Sequence, residues 1–184
     1  MLFTILPTIA TQDLKFPHHD NELAQSEAYF NNHQWVNYFL HAGHLRIDGL
    51  KMSKSLKNFI TIRDALKAGT PRQLRMLFLL QNWDSEMNYN RKDTMLEVQQ
   101  KERTLTEFFQ KVDAALNERK QDLSRSERWN EKDVALNNAL LQAEKDVHAA
   151  LQDNFNTPQA MRILMQLVTE ANTYIAGNTA RKGN

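Results

Sequence analysis

Cysteine is absent from all 184 residues. Its absence excludes disulfides, thiol catalysis and any cysteine-ligated zinc site built from this polypeptide. Long apolar runs are also missing, and none approaches the ~20 residues of a membrane span. Met1 to Ala10 is short and apolar, has no basic start and is interrupted by Pro7, so it makes a poor signal peptide. It holds no Arg, which also argues against a mitochondrial presequence. There are no repeats and no low-complexity tract. A large net charge is lacking as well, with 23 basic residues against 22 acidic ones. What remains is ordinary for a soluble protein: 41% hydrophobic and 24% charged residues, in a chain long enough for one or two domains with a real core.

The near-neutral total hides an uneven distribution. From Arg46 to Arg75 there are eight basic residues against two acidic ones, a local +6 in a chain of net +1. Such a segment in an otherwise acidic chain suits a localised anionic partner, either a nucleotide or an RNA backbone. A helix with a charged solvent face would give the same count. Within the segment, Lys51-Met52-Ser53-Lys54-Ser55 puts two ammonium groups three residues apart with no acidic neighbour between them. Lysine is a compact point charge on a flexible stem, and phosphate is one of its usual ligands. Two such lysines can close over a triphosphate and follow its charge as pyrophosphate leaves. Taken alone, a K-x-x-K pair is more often a solvated surface.

Periodicity divides the chain near Gly69-Thr70. Asp13 to Phe16 reads as a short strand end, and His18 onward as a helix with Leu23, Tyr29 and Phe30 near one face. Trp35 to Ile47 alternates well enough for one or two strands, with a turn at Asp48-Gly49. Leu56 to Leu66 restores helical spacing until Gly69 and Pro71 end it. Beyond Arg72 the chain reads as helices, broken at Asp84 to Tyr89. Met95 to Leu116 and Val134 to Leu151 are long amphipathic runs separated by a polar loop at Ser124 to Asn130. Thr157-Pro158 signals another helix start, with Thr as cap and Pro in the first position, and Gly177 is its expected stop. His18 and Glu22, four residues apart, share a face on a helix and suit two ligands of one metal. A surface His beside an exposed Glu has the same spacing. Neighbouring His19 points about 100° away on a helix.

The motifs resemble one family. Lys51 to Asn58 reads KMSKSLKN and is similar to the KMSKS signature of class I aminoacyl-tRNA synthetases. Asp13 to Glu27 reads DLKFPHHDNELAQSE and resembles the cysteinyl-tRNA synthetase signature F-P-H-H-[DE]-N-E. Trp35, His41, Gly43 and Gly49 fall where that family has W…H-x-G…G before its KMSKS. Asn58-Phe59, Asp64-Ala65-Leu66 and Asp153-Asn154-Phe155-Asn156-Thr157-Pro158 continue the match. It covers residues 13–174, and the Asp variant with ELAQSEAYF looks eukaryote-like.

The resemblance implies a fold and an activity. The fold is an α/β remnant of a class I Rossmann-like catalytic domain (residues 1–69) followed by an all-α, tRNA-binding helical bundle (residues 70–184), predominantly helical overall. The activity is cysteine–tRNA ligase, with ATP, cysteine and tRNA-Cys as partners and no membrane, in a cytoplasmic protein whose oligomeric state the sequence leaves open, a monomer being favoured. Lys54 and then Lys51 become the catalytic cations, and Lys51, Met52, Ser53, Lys54 and Ser55 the ATP-binding segment. Asp13 and His41 become substrate-proximal, and Arg63, Lys67, Arg72 and Arg75 tRNA-binding. His18 and Glu22 become the non-thiolate half of a zinc site that selects cysteine over serine by ligand softness.

Two departures qualify the match. The family's two zinc cysteines have no counterpart here, so no tight zinc is expected in this chain. The family's upstream H-I-G-H signature is also missing, because His41-Ala42-Gly43-His44 spells something like it but lies only seven residues before Lys51. Both departures lead to the expectation of an internal fragment that begins inside the catalytic domain and is inactive or nearly so by itself. A non-catalytic tRNA-binding module, a cysteine:amino-sugar ligase of related fold and a plain scaffold are the other readings. The long helical tail disfavours the amino-sugar ligase, and the motif pair disfavours the scaffold.

Overall fold

A computed structural model describes residues 8–11, 14–52, 57–90, 93–121 and 128–179. The chain forms two compact units, residues 1–60 with 83–90 and residues 61–82 with 91–184.

The first unit holds all the described strands. β1 (Thr8–Thr11) pairs in parallel with β2 (Phe39–Ala42), and α1 (Asp20–Phe30) is the crossover between them. Parallel neighbours need such a connection, since a tight turn cannot reverse the chain twice. The segment expected as a strand end is instead a wide, irregular turn, Lys15–His19, with Phe16 extended inside it. α1 ends at Asn31, whose left-handed φ of 48° suits an asparagine.

Trp35 to Ile47 does yield two strands. β3 (Leu45–Ile47) runs antiparallel to β4 (Leu50–Lys51). Asp48 and Gly49 both have positive φ (49° and 79°), the condition for a two-residue hairpin turn that matches strand twist. β3 also pairs in parallel with β5 (Met87–Tyr89). The sequence reading saw only a break there, because a three-residue strand carries almost no local signal. Register sets the faces: Leu45 opposes Met87 and Ile47 opposes Tyr89, while Arg46 opposes Asn88. Strand alternation therefore puts the apolar residues on one face and the polar ones on the other. Ile47, Met87 and Tyr89 are buried.

The second unit is helical: α2 (Ile62–Ala68), α3 (Pro71–Leu79), α4 (Asp93–Gln121), α5 (Glu131–Gln152) and α6 (Thr157–Thr179). The Leu56 start expected for α2 moves to Ile62, because Thr61 caps there by accepting from the Asp64 N–H at 3.0 Å. α2 ends at Ala68 with Gly69 as its C-cap, in keeping with the stop expected at Gly69 and Pro71, and Pro71 also opens α3 behind a Thr70–Gln73 capping box. An Asn130–Asp133 box opens α5. For α6 the cap is Asn156, one residue before the expected Thr157, with its Oδ1 accepting from the Gln159 N–H at 3.1 Å. Gly177 does not stop α6, which continues to Thr179. One helical glycine costs about 1 kcal/mol, and packing readily outweighs that. α5 packs along α6, and α3 and α4 also pack on α6. Ala143 and Ala150 of α5 and Ala160 and Val168 of α6 are buried. Small side chains there let the two backbones approach.

Candidate functional site

The lysine-bearing end of the β3–β4 hairpin comes first. Lys51 ends β4, exposed, directly across the ladder from Arg46. Met52 is half-buried. Ser53, Lys54 and Ser55, predicted to complete the phosphate segment, lie outside the described residues, as does Asp13. Arg46 is already matched by a carboxylate: its Nε and Nη2 donate to Glu86 Oε2 and Oε1 at 2.7 and 2.8 Å. This two-point bond holds the Glu86 carboxyl below its ordinary value and raises Arg46. The hairpin turn is tied as well, since the Gly49 N–H donates to Asn88 Oδ1 at 2.8 Å. At the lysine end, Asn58 Nδ2 donates to the Lys51 carbonyl at 3.1 Å.

A second cluster gathers three residues from the FPHHDNE segment and β2. His19 Nδ1 meets Glu22 Oε2 at 3.2 Å, and His19 Nε2 meets His41 Nε2 at the same distance. His19 is 6% exposed and also lies against Phe39, with ring centroids 4.4 Å apart. The structure thus pairs Glu22 with His19, while His18 is exposed. Helix geometry alone turns His19 about 100° from His18. That offset explains why only one of two adjacent histidines faces inward, but the irregular turn at Lys15–His19 decides which one. Doubled histidines before a carboxylate were the available signal.

The family's zinc needs a donor set that this cluster lacks. A structural or catalytic zinc needs at least three protein ligands around one point. Here His18 faces solvent, Glu22 is engaged by His19, and no thiol exists. Among the described residues no group of three His, Asp or Glu side chains could hold a metal ion. The described residues do not fit zinc.

The decoy His41-Ala42-Gly43-His44 has structural work of its own. His41 contacts His19, and Gly43 runs so close to the next segment that a Cβ would stand 1.9 Å from the Ser85 carbonyl oxygen. The Gly43 N–H donates to the Trp83 carbonyl at 2.9 Å.

The remaining predicted cations lie in the helical unit. Arg63 and Lys67 are exposed on α2, where Lys67 is paired with Asp64 at 2.7 Å. Arg72 and Arg75 are exposed on α3, and Arg72 lies 3.6 Å from Glu102 of α4. The basic segment is therefore shared between the two units, with Lys51 in one and these four residues in the other.

Comparison with known proteins gives this geometry a family. The family model described as the tRNA synthetases class I (C) catalytic domain matches residues 8–101, and a DALR domain model matches residues 146–183. A cytoplasmic cysteine–tRNA ligase of Dictyostelium discoideum is 50% identical over 172 residues, covering 94% of this chain and 26% of that protein. Its human counterpart is 48% identical over 168 residues, covering 91% and 22%. The chain thus spans about a quarter of the length of these relatives. In fold it resembles LeuRS in a ternary complex with tRNA and LeuAMS from Agrobacterium radiobacter K84. The TM-score is 0.69 at 17% identity, over 94% of this chain and 22% of that one. With half its length inside that catalytic-domain model, the chain belongs to the class I tRNA synthetases of the (C), or cysteine, type.

Proposed function

We propose that this chain serves cysteine–tRNA ligation, in which ATP activates cysteine and the cysteinyl group passes to tRNA-Cys in the cytoplasm. In the first step a carboxylate oxygen of cysteine attacks the α-phosphorus of ATP. The bond to the β-phosphate breaks, and pyrophosphate leaves with the electron pair. In the second, a hydroxyl of the terminal ribose attacks the activated carbonyl and AMP departs. Charge grows on the departing pyrophosphate, so cations held ready for it stabilise the transition state more than the substrate. Lys51 and Lys54 take that role, with Ser53 and Ser55 as hydroxyl donors. Arg63, Lys67, Arg72 and Arg75 meet the RNA backbone. Asp13 and His41 lie near the substrate. The expected division at residues 1–69 and 70–184 shifts to the two compact units, with catalytic work in residues 1–60 and 83–90 and RNA-binding work in residues 61–82 and 91–184.

The observation that carries this reading is the tied hairpin that presents Lys51 at the start of KMSKS. No step is routed through zinc.

The test is titration of the chain with inorganic tripolyphosphate, a probe of the phosphate grip alone. Lys51→Ala and Lys54→Ala should each weaken binding about tenfold, as loss of a charge-assisted contact does. No binding by the wild type, or binding indifferent to both changes, overturns the grip. Cysteine-dependent ATP–pyrophosphate exchange by the chain alone is expected at background. A non-catalytic tRNA-binding module would keep salt-sensitive tRNA binding but show no tripolyphosphate grip.

A further inference from the structure

Two residues make a short strand, and β4 has only Leu50 and Lys51, both exposed. Such a strand buries little, so packing contributes little to holding it in place. Polar ties must do so. At the turn end there are two kinds: the Asn88 side chain on the Gly49 N–H, and the Arg46 guanidinium, which reaches the Gly49 carbonyl at 3.3 Å while gripped by Glu86. At the other end, where the ammonium-bearing residue stands, the tie is Asn58. Its amide reaches back seven residues to the Lys51 carbonyl. Lys57, with φ of 51°, turns the backbone just before it.

We propose that Asn58 is a positioning residue for Lys51. Its Nδ2–H donor fixes the Lys51 backbone, and so the origin of the side chain that meets phosphate. Asn88 and Glu86 fix the opposite end of the same hairpin. The proposal rests on the reading of Lys51 as a phosphate contact. A flexible lysine stem can reach a range of points, and its affinity for a polyanion depends on how little entropy is lost in holding one of them. A fixed backbone origin reduces that loss.

Asn58→Leu keeps the shape and removes the donor, Asn58→Asp removes it while keeping size, and Asn58→Gln retains it. Two readouts apply to the purified chain: tripolyphosphate affinity and hydrogen exchange at the Ile47 and Leu50 amides, the pair that closes the hairpin. Loss of one hydrogen bond should weaken tripolyphosphate about fivefold in Asn58→Leu and speed exchange at those amides by a similar factor. The melting temperature should stay unchanged, and Asn58→Gln should restore both values to within about twofold. Exchange in Asn58→Asp should rise as in Asn58→Leu, which separates the donor from added charge and supplies a second variant if the leucine form is unstable. If the wild type binds no tripolyphosphate, the phosphate reading fails, and exchange alone decides the tie. Unchanged exchange at Leu50 in both donor-less variants overturns the proposal, as does failure of Asn58→Gln to rescue.

Discussion

The two units keep their shape by different means. In the helical unit, long elements bury side chains against one another: among the described residues Leu77 and Val98 are the largest fully buried ones, and Met76, Met95, Ala143, Ala150, Ala160 and Val168 are buried as well. In the strand-bearing unit the described core is thin, with Ile47, Met87, Tyr89 and His19 as its buried residues. Polar ties and close backbone approaches supply what burial does not: Arg46–Glu86, Asn88–Gly49, Asn58–Lys51, His19–His41 and the Gly43 crossing. Apolar burial is non-directional and tolerant of small shifts. Hydrogen-bonded ties are directional and fail when a partner is lost. The unit that carries Lys51 is the one built on ties, and a tie fixes direction as well as place.

The comparison can be broken hardest at Gly43. Gly43→Val should disrupt the strand unit outright, a loss of about 4 kcal/mol or more, since the added Cβ meets backbone rather than a yielding side chain. The helical unit should remain folded, so helical circular dichroism should largely persist while protection of the β3 and β5 amides disappears. Loss of both together would mean that the units do not fold separately.

Leu77→Ala tests the other side. A buried leucine truncated in a packed core should cost the helical unit about 3 kcal/mol, read as a lower denaturation midpoint. Protection of the β3 amides should change far less.

The smallest effect concerns pH. Glu86 is held below its ordinary value by Arg46, so its contribution is present above the unfolded-state value, about 4.3, and is lost as pH falls through the lower folded value. Glu86→Gln should flatten that acid-side loss in hydrogen exchange at the hairpin amides. A wild type and a variant with the same acid profile would sever the pair from hairpin order.

Much of this was legible in advance because it is local. Thr70-Pro71, Asn130 and Asp48-Gly49 each act within four residues, through capping or turn geometry, so their elements could be read, to within a residue or a few, from the chain. The KMSKS and FPHHDNE words gave the family for the same reason: short spacings carry the chemistry. β5 was not legible, since its partner β3 is some forty residues away and its own three residues look like a break. Nor was the choice of His19 over His18, which depends on an irregular turn and on where β2 places His41. The α6 cap shifted by one residue because Asn156 and Thr157 are both competent caps, and backbone context decides between them.

By itself, then, the sequence determined the helical character, the hairpin turn, the family and the paired lysines, all of which follow from near-neighbour stereochemistry and residue type. Tertiary structure alone decided which strands meet, that Glu86 and Asn88 return to brace the hairpin, and which histidine turns inward. Those depend on contacts between residues far apart in the chain, and local spacing carries no record of them.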